Sequence, residues 1–217
     1  MLVKDKDSTP ISFPPYLTRY QSEKTMSKER LIQTTITRHK TFWIIANERH
    51  DFLAGRAVER QARRVKTDRD VDFVCWKNAE IQRAAMISVV FCALTLEAFI
   101  NNYGILSFSK NFFDTHLDRL SPVTKWTIIP QLKTGQCLDP HGTTIRRLAS
   151  LFKRRDKLVH HKTVTKPVSD AFNQDWLTEK DSEEAISTVR RLVKELAEID
   201  NSIDTSWLEI DDRDIYA

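Results

Sequence analysis

The chain has 217 residues, 41% of them hydrophobic, enough for one ordinary core and too little for two domains. Four glycines and seven prolines, three of the prolines within the first fifteen residues, leave long stretches free for helix, so the expected fold is an all-α antiparallel bundle of about five to six helices. The net charge is only +4 but unevenly spread: residues 141–167 carry eight Lys or Arg against Asp156 alone, and the rest of the chain sums to net acidic.

Residues 1–30, with STP and FPPY and no sustained period, read as a flexible arm. The opening MLVKDKDSTP has no apolar run behind its charges, so no secretory signal is expected. A helical domain is expected over 31–204. From Ile32 to Lys66, Ile36, Phe42, Trp43, Ala46, Leu53, Ala57 and Val65 recur mostly three and four apart among charges, the mark of an amphipathic helix. A charged turn at Thr67 to Asp70 is expected to end it.

The next helix, Lys77 to Tyr103, becomes apolar nearly all round, as suits the central member of a bundle, and Gly104 is its expected stop. Its run AAMISVVFCALTLEAFI falls short of a membrane span and contains Glu97, so a buried core helix and no membrane association are expected. Ser109 to Leu120 reads as a shorter helix. SPVTKW opens another, with Ser121 as N-cap and Pro122 at the first helical position; Pro130 should kink or shorten it, and Gly135 is its latest end.

CLDPHG is a turn into the basic helix, Thr143 to Lys162, capped by Thr143 or Thr144. At about 100° per residue, Ile145, Leu148, Leu151, Phe152, Leu158 and Val159 share one face. Arg155 points along the middle of that face. A guanidinium there must be desolvated at a cost of several kcal/mol, be paired, or line a cleft or subunit interface. After a loop with Pro167, a last helix is expected from Ser182 to Ile203, its Asp-Ser-Glu-Glu start supplying capping oxygen and negative charge. Residues 205–217, containing LEIDDRD, read as an acidic tail.

Several chemistries are excluded by residue type. There is no GxGxxG or Walker-type loop to cradle phosphates, no hydrolase elbow and no HExxH, and the six histidines show no metal-ligand spacing. Cys75, Cys92 and Cys137 are odd in number and form no CxxC pair, so they read as buried free thiols in a reducing cytoplasm. No cofactor or metal is expected. Trp43, Trp76, Trp126 and Trp176 read as core or interface.

A helix ending LEAFINN, a loop with KW and a helix ending LFKRRDKLVHHK together resemble the HEPN superfamily, whose hallmark is an Arg, a polar residue, three further residues and a His on a late helix. Here that is Arg155, Asp156, Lys157, Leu158, Val159 and His160, with Asp156 standing where many members have Asn. The resemblance spans about Lys77 to Ile203 and implies a bundle that dimerises with two motif helices facing across a cleft. It implies a metal-independent endoribonuclease in which Arg155 binds the scissile phosphate and His160 moves the proton. By the same analogy the chain serves as a toxin or host-defence effector, with a small nucleotidyltransferase as its antitoxin partner.

Supporting roles fall to Asp156, which could orient the imidazole, to Glu97 as a partner for Arg155, and to Asn101, four residues from Glu97 on the same face. Lys153, Arg154, Lys157, His161 and Lys162 are the expected RNA-backbone contacts. The competing reading keeps the fold and drops the chemistry: a buried Arg155–Glu97 pair, cations placed at a helix C-terminus, and a non-catalytic module for dimerisation or for RNA or protein binding.

Overall fold

The computed structural model describes residues 38–62, 68–160 and 177–209, with only the backbone for 57–62 and 68–77. The described residues form an all-α bundle without strands: α1 (His39–Ala62), α2 (Asp68–Phe108), α3 (Lys110–Phe112, continued by π turns over Phe113–Leu117), α4 (Pro122–Thr134), α5 (Thr143–Val159), α6 (Glu179–Ile199) and a closing 3-10 turn (Ser206–Glu209). The arm at 1–30, the Pro167 loop, Trp176, His161 and Lys162 lie outside the described residues, as do the side chains of Cys75 and Trp76.

The apolar helix is central, as its all-round hydrophobicity requires: α1, α4, α5 and α6 all pack on α2. Asn78–Phe108 is long and apolar enough to cross a membrane by length and composition. Here the helix instead buries Val89, Cys92, Ala93, Leu96, Phe99 and Ile100 against Trp43, Trp126, Leu148, Val189 and Leu192.

The helix is also longer than its periodicity indicates. Asp68 to Asp70 belong to α2 rather than to a turn, and Gly104 does not stop it. A Cβ at Gly104 would lie 2.8 Å from the Phe113 ring and 3.1 Å from Ile129, so glycine is there for close packing and the helix runs on to Phe108. Ser109, at φ 88, makes the break, and its hydroxyl caps the short α3. The expected helix to Leu120 widens into π turns that end at Leu117.

Ser121 and Pro122 open α4 as expected, and Gly135 in the left-handed region closes it. Pro130 is buried inside α4 and the helix continues past it for one more turn. Gly142, not Thr143 or Thr144, is the N-cap of α5; the Thr144 hydroxyl donates to Glu195 on α6 at 2.6 Å. α6 starts at Glu179, ahead of the expected Ser182. Thr178 is its N-cap, and the Asp181 carboxylate accepts the Thr178 backbone N–H and hydroxyl at 2.8 Å each. Ser182 lies within the helix, fully buried, donating to Ser88 on α2 at 2.7 Å.

Two further expectations need correction. Residues 205–217 are not wholly a tail: Trp207 is 1% exposed, its ring packs against His39, Trp43 and Phe99, and the Leu208 carbonyl accepts the Trp43 indole N–H at 3.2 Å. The packed domain therefore extends to Glu209, because an indole and a leucine in an otherwise acidic stretch have an apolar pocket to fill. Cys92 is buried, its thiol pKa raised by burial, whereas Cys137 is exposed in the α4–α5 turn.

His39 closes the same end of the core. It is 5% exposed between Phe99 and Trp207, and burial, with Lys40 adding to it and Asp204 opposing, lowers its pKa from 6.5 to about 4. The native pKa lies below the unfolded one, so between those values the unfolded chain binds more protons. Stability is complete above pH 6.5 and is lost as pH falls toward 4. Denaturant titrations should show about 2 kcal/mol less stability at about pH 5 than at about pH 7.5 from this group, and His39→Phe should flatten that dependence. Trp207→Ala should cost about 3–5 kcal/mol, read as a lower denaturation midpoint.

Candidate functional site

The polar residues of the central helix set the site. Glu97 and Asn101 are one turn apart on α2, in a segment whose other faces are buried among apolar side chains, so each needs a partner from a neighbouring helix. α5 brings Arg155 to Glu97: Nη2 lies 3.3 Å from Glu97 Oε2, with the guanidinium 5.1 Å from the Phe152 ring centroid. Its side chain is 20% exposed. Arg155 Nε is 3.3 Å from Asp156 Oδ1 but out of hydrogen-bonding alignment, so this buried N–H has no acceptor among the described residues.

α4 brings the other cation. Lys125, 3% exposed, donates from Nζ to Asn101 Oδ1 at 2.9 Å, with Asp118 3.9 Å away and the Phe113 ring centroid at 5.2 Å. Burial lowers the Lys125 pKa, and the charges of Asp118 and Glu97 act against that shift. The result is a notch where α2, α4 and α5 meet, with one cation on each of two α2 polar residues. Lys125 figures in the sequence reading only as part of KW, without a role and in a loop, whereas KW lies inside α4. Its signal was available: Ile129 lies four residues on, on the same face, so the lysine interrupts the inward stripe of α4 as Arg155 interrupts that of α5.

The expected Glu97–Arg155 pair is formed. Asn101 instead serves Lys125, and the Asp156 carboxylate lies against Arg155. His160 differs from expectation in backbone. α5 ends at Val159, and His160 is its C-cap at φ −108 and ψ 38, its N–H bonded to the Asp156 carbonyl. A helical wheel therefore does not give the direction of its imidazole, which is exposed and makes no side-chain hydrogen bond or ion pair among the described residues. Val159, expected on the buried face, is 56% exposed for the same reason: the packing of α5 ends before it.

The basic run divides by face. Arg154 is committed to α6, 3.0 Å from Glu184 and 3.2 Å from Asp181, and so joins two helices. Lys153 and Lys157 are exposed, and with exposed Arg146 and Ser150 they recur four, three and four residues apart, forming one outward stripe that leads to His160. Among the described residues no three His, Cys, Asp or Glu side chains gather as a metal site.

A separate cleft of about 590 Å³ lies between α1 and α6, and none of Glu97, Asn101, Lys125 and Arg155 lines it. At its edge His50 Nδ1 is 3.1 Å from Ser182 Oγ, which in turn donates to Ser88. Comparison with protein-family models, curated proteins and solved structures gives no match.

The buried amine makes the notch sensitive to its acceptor. Asn101→Leu should cost about 2–3 kcal/mol by stranding the Lys125 ammonium, and adding Lys125→Met should recover most of it, because a buried cation is costly mainly when its partner is removed. Urea denaturation of the two variants beside wild type checks this.

Proposed function

We propose that the chain is a homodimeric, metal-independent endoribonuclease of HEPN type, with Arg155 holding the scissile phosphate and His160 moving the proton. The observation that carries the reading is the pairing of an inward Arg155, whose Nε–H has no acceptor, with an exposed imidazole at the end of the same helix. RNA supplies its own nucleophile in the 2′-hydroxyl, so the protein needs a proton acceptor and a cation for the developing phosphorane charge. A histidine titrates in the right range, and the planar guanidinium matches two phosphate oxygens.

Lys125 adds a reason why Arg155 can leave Glu97. Its charge acts on Glu97 across the notch, so the carboxylate keeps a cation nearby when the guanidinium turns to a phosphate. The outward stripe of Arg146, Lys153 and Lys157 offers the RNA backbone a track toward His160, and exposed Val159 offers a second copy an apolar contact beside it. In this reading the protein acts in the cytoplasm as a toxin or defence effector. By family analogy a small nucleotidyltransferase neutralises it.

One observation favours the second reading, a non-catalytic dimerisation or binding module of the same fold. The motif's Arg155 and its neighbour Arg154 already have carboxylate partners, Glu97 on α2 and Glu184 on α6 respectively. The two readings part in one assay. Under the first, purified protein cleaves RNA in EDTA and leaves 2′,3′-cyclic phosphate ends, and His160→Ala and Arg155→Ala each lower the rate by at least about 100-fold while circular dichroism is unchanged. Full activity in both variants refutes it. Intact RNA at high protein concentration, with a dimer that dissociates on Arg155→Glu, establishes the second.

A further inference from the structure

We propose that the cleft between α1 and α6 is the docking site of the chain's own acidic segment, residues 210–217, and that it is separate from the Arg155 notch. Three observations converge on this occupant. The first is the point of departure. The Leu208 carbonyl is fixed to the Trp43 indole N–H at 3.2 Å, and Arg190, which lines the cleft, has its guanidinium carbon 5.6 Å from the centroid of that same indole. The chain therefore leaves its last described turn beside Arg190, midway along the cleft.

The second is charge. The cleft carries Arg190, Arg191 and Lys194 within about one turn of α6, beside Glu195, with Glu183 and Glu198 towards its two ends. The segment IDDRDIYA carries Asp211, Asp212 and Asp214 around a single Arg213, so its carboxylates match the central cations and its arginine matches a flanking glutamate. A uniformly charged ligand would meet repulsion at one or the other. Ile210 and Ile215 also have an apolar counterpart in Ile186 on the cleft wall.

The third is reach. α1 and α6 run antiparallel: Trp43 lies near Arg190, and seven residues further along α1 His50 meets Ser182. That is a distance of about 10 Å along the helix, and eight residues of extended chain span up to about 26 Å. Tethering adds effective concentration, so a few exposed ion pairs, individually weak, suffice to hold the segment. The acidic tail is thereby assigned to α1 and α6 rather than to the basic face of α5.

Disulfide trapping tests this without reference to any activity. In a Cys75→Ser, Cys137→Ser background, Asp212→Cys is paired either with Arg191→Cys in the cleft or with Lys153→Cys on the outer face of α5. Intrachain crosslinking through residue 191 should be at least about tenfold faster than through residue 153, and the advantage should shrink in high salt. Equal rates, faster trapping at residue 153, or crosslinks formed only between chains would each overturn the proposal. Deleting residues 210–217 from the otherwise intact chain should also raise amide exchange across Arg190–Glu198, and unchanged exchange there would overturn it as well.

Discussion

The fold depends on one constraint: α2 is apolar nearly all round and yet carries Glu97 and Asn101 in its buried half. Apolar burial by itself is non-directional and would let neighbouring helices slide or rotate against α2 at little cost. Two polar groups one turn apart remove that freedom. Glu97 fixes where along α2 the end of α5 must lie, because Arg155 has to reach it, and Asn101 fixes α4 through Lys125. Each cation is desolvated at some cost and has one polar partner on α2, so these pairs act more as registry than as net stabilisation.

The same logic is repeated at the other contacts of the bundle. Arg154 ties α5 to the first turn of α6, Thr144 ties the start of α5 to Glu195, and Ser182 ties α6 to Ser88 of α2. At the far end of α6, Asp200 accepts hydrogen bonds from Tyr103 at 2.8 Å and lies 2.7 Å from Lys133, linking α2 and α4 to the last turn of that helix. Burial raises the Tyr103 pKa, and the Lys133 and Ser202 hydrogen bonds hold the Asp200 carboxyl well below the usual range. The helices thus meet through a hydrophobic core whose alignment is set by a few polar ties between neighbouring helices.

This arrangement puts stability and the candidate chemistry in the same residues. Arg155 is at once the registry partner of Glu97 and the group assigned to phosphate binding, and the two uses compete for one guanidinium. Lys125 eases that competition because it is buried behind the pair and adds positive charge that does not leave. His160 has no such double duty: released from the helix at its C-cap, it is exposed to solvent and anchored by its backbone alone. The helix end thus carries one partly buried, carboxylate-paired cation and one solvent-facing imidazole.

The sequence by itself determined the helical class, the central helix, the Ser121–Pro122 start and Gly135 end of α4, and the Glu97–Arg155 partnership. All of these follow from local periodicity, capping chemistry and the cost of an uncompensated charge. Only the tertiary structure decided which glycine was a stop and which a contact, since Gly104 is explained by Phe113 rather than by its own backbone. Trp207 and Leu208 could not be read as core because nothing in an acidic stretch announces the pocket that Trp43, Phe99 and His39 build elsewhere in the chain. The inward position of Lys125 was legible from Ile129 one turn on, but its partner was not, and neither was the end of α5. A lysine's role depends on what faces it across the bundle, and where a helix ceases to be packed is set by its neighbours rather than by its own residues.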